Sequence, residues 1–495
     1  MQQFRDSSGR PSIGNTGITM PNRLVRNGIV LYVLSLIAVS FLYSAYAMPW
    51  YYWLSGVVAV VGFFSYGKSL NQQLSINHIY RQKIFGKRIF TIAFILRVVW
   101  TLLIYMIFMQ TYGDAFGFEN ADAIIYDEMG QYTAQMISDG NFHFFDEISQ
   151  KFGFRDISDM GYAVYVGFVY RLTGNSVIVL RLLKCLYSAL TVLLIYRLAL
   201  RNFGDSIART AAILCALWPN FWYYCGCNLK EVEMVFLGVL FVEQADQMLR
   251  SRQFTAWKII PVLLIGAALL TFRTPLALVA FLSLIFSVVM SSSRVVSWGK
   301  RVIVGGLAVI LIGVTMGNRI EEQTRVLVDT VQSNEQQNNM EWRTRRTHGN
   351  EFAKYAGKSV FAPLIFTIPF PSMVRPFDGQ EQQQLLNGGN FCKNIISFFT
   401  IIAMIMLLMS GKWRNHLLPL SFMLGYLVVL TMSSFAQSER FHQPCMPFEL
   451  MFAAYGLSIT VTKAKYKRWF TYWCGFMLVA CVAWNWFKIA GRGLS

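Results

Sequence analysis

The sequence predicts an all-α, polytopic integral membrane protein with two long external loops. It has about 13 predicted transmembrane helices, with a range of about 11–14. Hydrophobic residues make up 55% of the 495 residues and charged residues only 14%, which excludes a disordered chain and an ordinary soluble domain. Apolar runs close to the ~20 residues that a helix needs to cross a bilayer recur along the chain. They lie at 28–48, 50–66, 89–110, 176–200, 206–225, 231–249, 257–272, 274–290, 302–317, 392–410, 417–434, 446–462 and 469–490.

The order of these runs divides the chain into successive parts. The first apolar run follows a polar stretch and is too long for a removable signal peptide, so we expect a signal anchor. Pro275 interrupts the region 257–290, which could also form one kinked element. The parts are a polar cytoplasmic N-terminus at 1–27, three transmembrane helices at 28–110, an acidic external loop with an amphipathic helix at 111–175, transmembrane helices at 176–317, an external loop with an interfacial segment at 318–391, and C-terminal transmembrane helices at 392–495.

The charged residues are unevenly placed along the chain. The net charge is +18, which in a soluble domain would suggest nucleic acid as a partner. Lys and Arg crowd the short connections 67–88, 291–301 and 463–468, whereas 111–160 holds ten acidic and two basic residues. Because basic residues mark cytoplasmic loops, this distribution predicts a cytoplasmic N-terminus and an external acidic loop. It predicts contact with membrane lipids and no nucleic-acid partner.

Motifs of several common enzyme classes do not occur in the chain. The eight Cys residues form no CxxC pair, so we interpret them as packing residues and propose no metal held by a His/Cys set. Neither GxxxxGK[ST] nor GxGxxG after a strand occurs, so a nucleotide-binding domain is not indicated. An enzyme of this layout would meet its substrates at the outer membrane face, which favours a lipid-linked donor. A divalent cation shared by carboxylates and a donor phosphate stays open.

The acidic loop contains the segment DAIIYDEMGQYTAQMI. Its apolar residues follow a helical spacing that predicts an amphipathic helix. Asp122 lies beside the apolar stripe, where a protein groove would suit it as a general base, although it could instead only cap the helix. Asp127 lies on the far side and is interpreted as a solvated charge, and Glu128 lies off the other edge of the stripe. The stripe consists of Ile125, Met129, Tyr132 and Met136.

Several basic residues near span ends are candidate ligands for a phosphate. Arg273 precedes a helix-breaking proline at a span end, where an arginine is costly and often functional, although freed carbonyls could satisfy it instead. In the turn CNLKEVEM, Lys230 could contact a phosphate and Glu231 could orient an acceptor, or the two could form a helix-end pair. Two further groups are expected at the membrane surface, where either a lipid phosphate or ordinary solvation would explain them. They are Arg440 with His442, and Arg343 with Arg345 and Arg346.

The order of these features resembles the GT-C glycosyltransferases. The similar pieces include DAxxYDE in the acidic loop, Gly-Tyr at 161–162, Thr-Gly-Asn at 173–175, Trp-Pro at 218–219 and the late segment SERFHQPCMPFEL. In this respect the chain looks like the branch that includes dolichyl-phosphate-mannose protein mannosyltransferases and bacterial aminoarabinose transferases. The resemblance implies a GT-C-like fold.

The resemblance also implies an activity and roles for residues. It implies inverting transfer of a sugar from a polyprenyl-phosphate-linked donor to a glycan, lipid or protein acceptor at the external face. Asp122 then takes the place of the catalytic first-loop aspartate, with Asp127 and Glu128 as rivals and Tyr126 as a neighbouring substrate contact. Arg273 and Arg440 become candidate ligands of the donor phosphate.

Two other functions remain open at this stage. An O-antigen-type polysaccharide polymerase would share the membrane layout but use a lipid-diphosphate-linked oligosaccharide. The other is a lipid or polysaccharide transporter or flippase. Inverted repeats would favour this function, and the sequence shows no sign of them. We expect a role in cell-envelope polysaccharide or glycoconjugate assembly in a bacterial inner membrane.

Overall fold

The computed structural model describes residues 20–75, 82–117, 119, 121–153, 157–251, 256–293, 295–296, 299, 302, 306, 364–375, 381–432, 438–462 and 464–490. Over these ranges the chain is helical and contains no strand, only an isolated bridge between Ala47 and Val374. The predicted all-α fold class is therefore confirmed. All eight cysteines are buried and free, as packing residues should be.

The first helices form the N-terminal part of the bundle. Helix α2 runs through a π-helical turn at Gly62–Tyr66 directly into α3, so the two form one continuous rod. The buried Arg97 of α4 donates hydrogen bonds to the carbonyl oxygens of Cys215 and Ala216, which ties α4 to a helix end more than 100 residues later. The bounds are α1 Asn22–Leu42, α2 Trp50–Val61, α3 Gly67–Ser75 and α4 Gln82–Tyr112.

After α4 in the chain, and before the next long helix, three helices pack against one another as a layer. They are α5 (Ala121–Ser138), α6 (Phe144–Phe152) and α7 (Met160–Thr173). Helices α5 and α7 make close contact through glycines, since a Cβ on Gly130 would lie 2.3 Å from the Val166 side chain and one on Gly167 would lie 2.5 Å from Thr133. The predicted amphipathic helix therefore exists, and its backbone is fixed against α7.

The predicted apolar stripe of α5 is only partly correct. Met129 and Met136 are buried, but Ile125 is 36% exposed. The buried side instead includes Asp127 and Thr133, because α7 supplies polar partners that a helical wheel cannot anticipate.

Replacing Gly167 with Ala is expected to lower the free energy of unfolding by about 1–3 kcal/mol, because the added methyl group would overlap the Thr133 side chain. Thermal unfolding in detergent measures the effect as a lowered Tm. Gly475→Ala is the matched control, since nothing lies within 4 Å of a Cβ at that helical position. An equal Tm for the two variants would contradict the close packing of α5 on α7.

The middle of the chain corrects one predicted span. The run 206–225 is not one helix but two, separated at Trp218, whose φ of −63° and ψ of 115° are extended. Pro219 causes the break, because a residue before proline is disfavoured in the helical region. The helices here are α8 Val177–Phe203, α9 Asp205–Ala216, α10 Pro219–Cys225, α11 Glu231–Arg250, α12 Ala256–Phe272 and α13 Thr274–Met290.

The region 257–290 is a helical hairpin and not one kinked helix. Arg273 adopts an extended conformation between α12 and α13 (φ −163°, ψ 100°). A Cβ on Gly266 would lie 2.3 Å from the Phe281 ring, so the helices run back along each other. Arg273 is therefore at the tip of the hairpin.

The C-terminal part encloses an irregular segment, residues 364–375, most of which is buried. Its backbone is bound by polar side chains: Asn387 accepts from Ser372 N at 2.9 Å, Asn485 accepts from Met373 N at 2.6 Å, and Lys393 donates to the Ile368 carbonyl oxygen at 2.7 Å. The segment is not a spanning helix, as predicted, and whether it lies at the membrane interface stays a prediction. The helices are α14 Gln382–Met409, α15 Leu417–Met432, α16 Glu439–His442, α17 Met446–Thr462 and α18 Ala464–Ala490.

Among the described residues, six helices are long and apolar enough to cross a membrane, and four shorter apolar helices accompany them. All ten coincide with predicted spans. Helix α11 also matches a predicted span but carries four acidic residues, and the predicted span 302–317 lies almost wholly outside the described residues. The multi-span architecture agrees with the prediction, and the count of about 13 stays a prediction.

Candidate active site

Charged side chains from three distant segments meet where α5 and α11 begin. The guanidinium of Arg440 lies between two carboxylates: Nη1 donates to Asp122 Oδ2 at 2.5 Å and Nε donates to Glu231 Oε1. Side-chain exposure is 12% for Arg440, 1% for Glu231 and 50% for Asp122. The cluster therefore has a buried carboxylate, a nearly buried cation and a carboxylate that solvent or a substrate can reach.

Local structure explains these positions. Asp122 lies in the first turn of α5 and Glu231 in the first turn of α11. Both carboxylates are thus favoured by the partial positive charge at a helix N-terminus. Arg440 belongs to the one-turn helix α16, which aims the guanidinium at both.

Two more predicted residues, Lys230 and Arg273, border this cluster. Lys230 Nζ forms an ion pair with Asp159 and donates to the Phe272 carbonyl oxygen at 3.1 Å. Burial, followed by the nearby charge of Arg273, holds the pKa of Lys230 well below its usual value. Lys230 therefore attaches the turn to the α12–α13 hairpin and is not paired with Glu231.

Arg273 differs from the other cations of the site. Its guanidinium carbon lies 4.9 Å from the ring centroid of Phe441, the neighbour of Arg440. Within the described part of the chain it has no carboxylate partner. Arg273 can therefore accept an added anion without giving up an ion pair.

Tyr126 lies one turn after Asp122 and packs beside the cluster. Its ring meets that of Tyr162 edge-on, with centroids 5.0 Å apart, and the ammonium of Lys230 lies 6.0 Å from its centroid. Burial raises the pKa of the phenol, so Tyr126 remains neutral and can donate a hydrogen bond.

A buried network behind the cluster holds the turn that precedes α11. Glu119 accepts from the backbone N–H of Asn228 at 2.7 Å and from Arg181 at 2.6 Å. Asn228 donates to the Ala123 carbonyl oxygen at 2.9 Å, which links the turn to the start of α5. Burial raises the pKa of Glu119 to about 7 even though Arg181 opposes the rise. This network therefore fixes the positions of Asp122 and Glu231 relative to each other.

A second network fixes the helix that carries Arg440. The buried Glu439 carboxylate accepts from Tyr224 Oη at 2.6 Å, from Asn220 Nδ2 at 2.8 Å and from Gln443. Gly389 lets α14 come close, since a Cβ there would lie 1.8 Å from Asn220 Oδ1. Burial raises the pKa of Glu439 to about 7.

Glu439 should therefore make stability fall with rising pH. A carboxyl whose pKa is raised by folding contributes stability below its unfolded value, near 4.5, which is lost as the pH rises through about 7. Glu439→Gln cannot ionise, so its Tm should match the wild type at pH 5 and exceed it at pH 8. Glu147→Gln, at a partly exposed site, is the control. Parallel Tm curves for wild type and Glu439→Gln would contradict this assignment.

Two of the predicted catalytic carboxylates lie away from the cluster. Asp127 was interpreted as a solvated charge, and this is wrong: it is 8% exposed and binds the Tyr170 hydroxyl and Gln131 Nε2, the latter at 2.7 Å. The reason is that α7 covers this side of α5. Glu128 is exposed and is not part of the Arg440 cluster.

His442 is also separate from that cluster. It is 1% exposed, and its Nδ1 lies 2.7 Å from Lys393 Nζ. With Cys445 and Glu449 it forms a group whose ligand atoms lie within 4.8 Å of one another, and this group contains no CxxC pair. Because the Lys393 ammonium lies 3.8 Å from Glu449, it already supplies a positive charge there. Arg343, Arg345 and Arg346 lie outside the described residues.

Sequence reasoning missed several residues that build the site. Glu119, Asp159 and Glu439 are bound to residues far along the chain, so no local pattern marks them. Lys184 carried a signal, since it is a charge inside an apolar run; it pairs with Glu233 at 3.0 Å.

The fold and the site together define an integral membrane protein with a charged centre at one end of its helices. Residues 161–316 match the family model described as dolichyl-phosphate-mannose-protein mannosyltransferase. This confirms the predicted family resemblance for that segment and indicates a membrane glycosyltransferase of the GT-C type. The matched segment contains Lys230, Glu231 and Arg273 but neither Asp122 nor Arg440. No curated protein and no solved structure gives a significant match.

Proposed function

We propose that this protein transfers a sugar, with inversion, from a polyprenyl-phosphate-linked donor to a glycan, lipid or protein acceptor at the external membrane face. Its role is in cell-envelope polysaccharide or glycoconjugate assembly in a bacterial inner membrane, with a cytoplasmic N-terminus. The observation that carries the proposal is the bridge from Arg440 to Asp122 and Glu231, with Arg273 beside it, which has no carboxylate partner among the described residues.

The reaction needs a base for the acceptor hydroxyl. Asp122 is the accessible carboxylate, with half of its side chain exposed. As the acceptor oxygen bonds to the anomeric carbon, Asp122 takes the hydroxyl proton. The bond from that carbon to the phosphate oxygen breaks, and its electron pair leaves with the polyprenyl phosphate.

The leaving phosphate gains negative charge and needs cations. Arg273 can bind it directly, and Arg440 can offer its Nη1 while Glu231 holds its Nε in place. A phosphate that replaces Asp122 on Nη1 would free this carboxylate to act as the base. Fixed donors aimed at developing charge are a main source of catalysis. A divalent cation shared with the phosphate would supplement these charges and stays a prediction.

The experiment compares donor classes with the full chain reconstituted in phosphatidylcholine liposomes. Polyprenyl-phosphate hexoses and pentoses are offered with an envelope extract as the acceptor mixture, and release of polyprenyl phosphate is measured. Turnover of at least one such donor is expected. Consumption of only polyprenyl-diphosphate oligosaccharides would instead identify a polymerase, and lipid movement without bond cleavage would identify a flippase.

A further inference from the structure

A polar cleft lies in the helical layer, away from the Arg440 cluster. It is formed by α5, α6 and α7 and has a volume of about 780 Å³, within the ~300–1,000 Å³ usual for small-molecule sites. Gln131, in its wall, follows Asp122 by nine residues of α5, so at ~100° per residue the two lie on opposite sides of the helix. The cleft is therefore a separate site.

The wall of this cleft combines hydrogen-bond donors and acceptors. Glu128 contributes a carboxylate, Gln131 and Gln135 contribute amides, and Lys151 and Arg171 contribute cations. Gln131 is held in position, because its Nε2 donates to the buried Asp127 at 2.7 Å and Asp127 is bound by Tyr170. At least one polar group is thus fixed from behind by a buried carboxylate.

The two cations in the wall are available to a ligand. The ammonium of Lys151 lies 3.6 Å from the ring centroid of Tyr132, and Arg171 is exposed on the last turn of α7. Neither has a carboxylate partner within the part of the chain that the structure describes. A cation–π contact at an exposed site is weak, so it does not prevent the N–H groups of Lys151 from binding an oxygen.

We propose that this cleft binds a saccharide, namely a part of the acceptor glycan that lies away from the transferred sugar. Polyhydroxylated rings both donate and accept hydrogen bonds, which fits carboxylate, amide and ammonium groups side by side. A lipid phosphate accepts only, and it would be repelled by Glu128 and by Glu147, which binds the Tyr132 hydroxyl at 3.1 Å. The description of this glycan as the acceptor rests on the proposed function, whereas the binding of a saccharide does not.

The test measures binding to the full chain in phosphatidylcholine nanodiscs by saturation-transfer NMR. The probes are maltotriose, chitotriose and trigalacturonate. At least one should bind, and its affinity should fall about 10-fold or more in the double variant Lys151→Ala/Arg171→Ala. The matched control is Lys412→Ala/Arg414→Ala, which removes two cations from the connection between α14 and α15 and should bind the probe as the wild type does.

The outcomes separate this proposal from the transfer reaction. Asp122→Asn should keep full saccharide binding, because Asp122 lies on the other side of α5. With an active acceptor, Lys151→Ala/Arg171→Ala should raise the acceptor KM and leave kcat unchanged. No binding by any of the three probes, or equal binding by the cleft variant and the control, would overturn the proposal. A cleft that binds phosphatidylglycerol supplied in the nanodisc, and none of the saccharides, would be a lipid headgroup site. This result would overturn the proposal as well.

Discussion

Asp122→Asn is expected to lower the rate of sugar transfer by about 10²–10⁴-fold, the usual contribution of a positioned acid or base. Asparagine has nearly the same volume and can still accept a hydrogen bond from Arg440, but it cannot take the acceptor proton. Because half of the Asp122 side chain is exposed, the Tm should change little. The rate is measured as initial release of polyprenyl phosphate from liposomes that contain equal amounts of each variant.

Three other carboxylates of the same loop serve as comparisons. Asp139→Asn, at the exposed end of α5, is the matched control and should retain full activity. Asp127→Asn removes the charge of a buried structural carboxylate. Glu128→Gln removes the charge of the carboxylate in the wall of the cleft formed by α5, α6 and α7. Normal transfer by Asp122→Asn together with a large loss in Glu128→Gln would move the base to the other side of α5.

The sequence predicts the helical membrane fold because its signals are local. Apolar runs and span-breaking prolines depend on neighbouring residues alone, and ten predicted spans coincide with apolar helices. The run 206–225 shows the limit of mean hydropathy: Trp-Pro at 218–219 is apolar, yet its backbone geometry ends a helix there. The hairpin at Arg273 likewise required the contact between Gly266 and Phe281, which no short window contains.

The site was predictable only as a set of candidates. Asp122 and Arg440 are 318 residues apart, and Arg440 and Glu231 are 209 apart, so their contact is a property of the packed bundle. For Asp127, a helical wheel with one apolar face suggested solvent, whereas α7 buries that side and supplies Tyr170 as a partner. His442 was expected at the membrane surface beside Arg440. The structure buries it next to Lys393, which comes from another helix, so no local pattern could indicate this position.

A second large loss of transfer activity is expected when Arg440 is replaced. A single substitution would not separate the role of Arg440 in donor binding from its role in stability. Arg440→Ala leaves Glu231 buried without its cation, and breaking a buried pair costs about 3–5 kcal/mol. Transfer should therefore fall together with the Tm. The double variant Arg440→Ala/Glu231→Gln removes both charges and should recover most of the Tm.

If Arg440 binds the donor phosphate, that double variant should remain inactive after its Tm recovers. Arg273→Ala completes the comparison: Arg273 has no carboxylate partner in the part of the chain that the structure describes, so this variant should keep the wild-type Tm. A charge-assisted hydrogen bond contributes about 1.5–3 kcal/mol, so each loss should weaken donor binding by about 10-fold to about 100-fold. Donor affinity is measured by titrating a polyprenyl-phosphate sugar into nanodiscs. Unchanged affinity in both variants would remove the two arginines from the donor site and leave Arg440 as a structural bridge between α5 and α11.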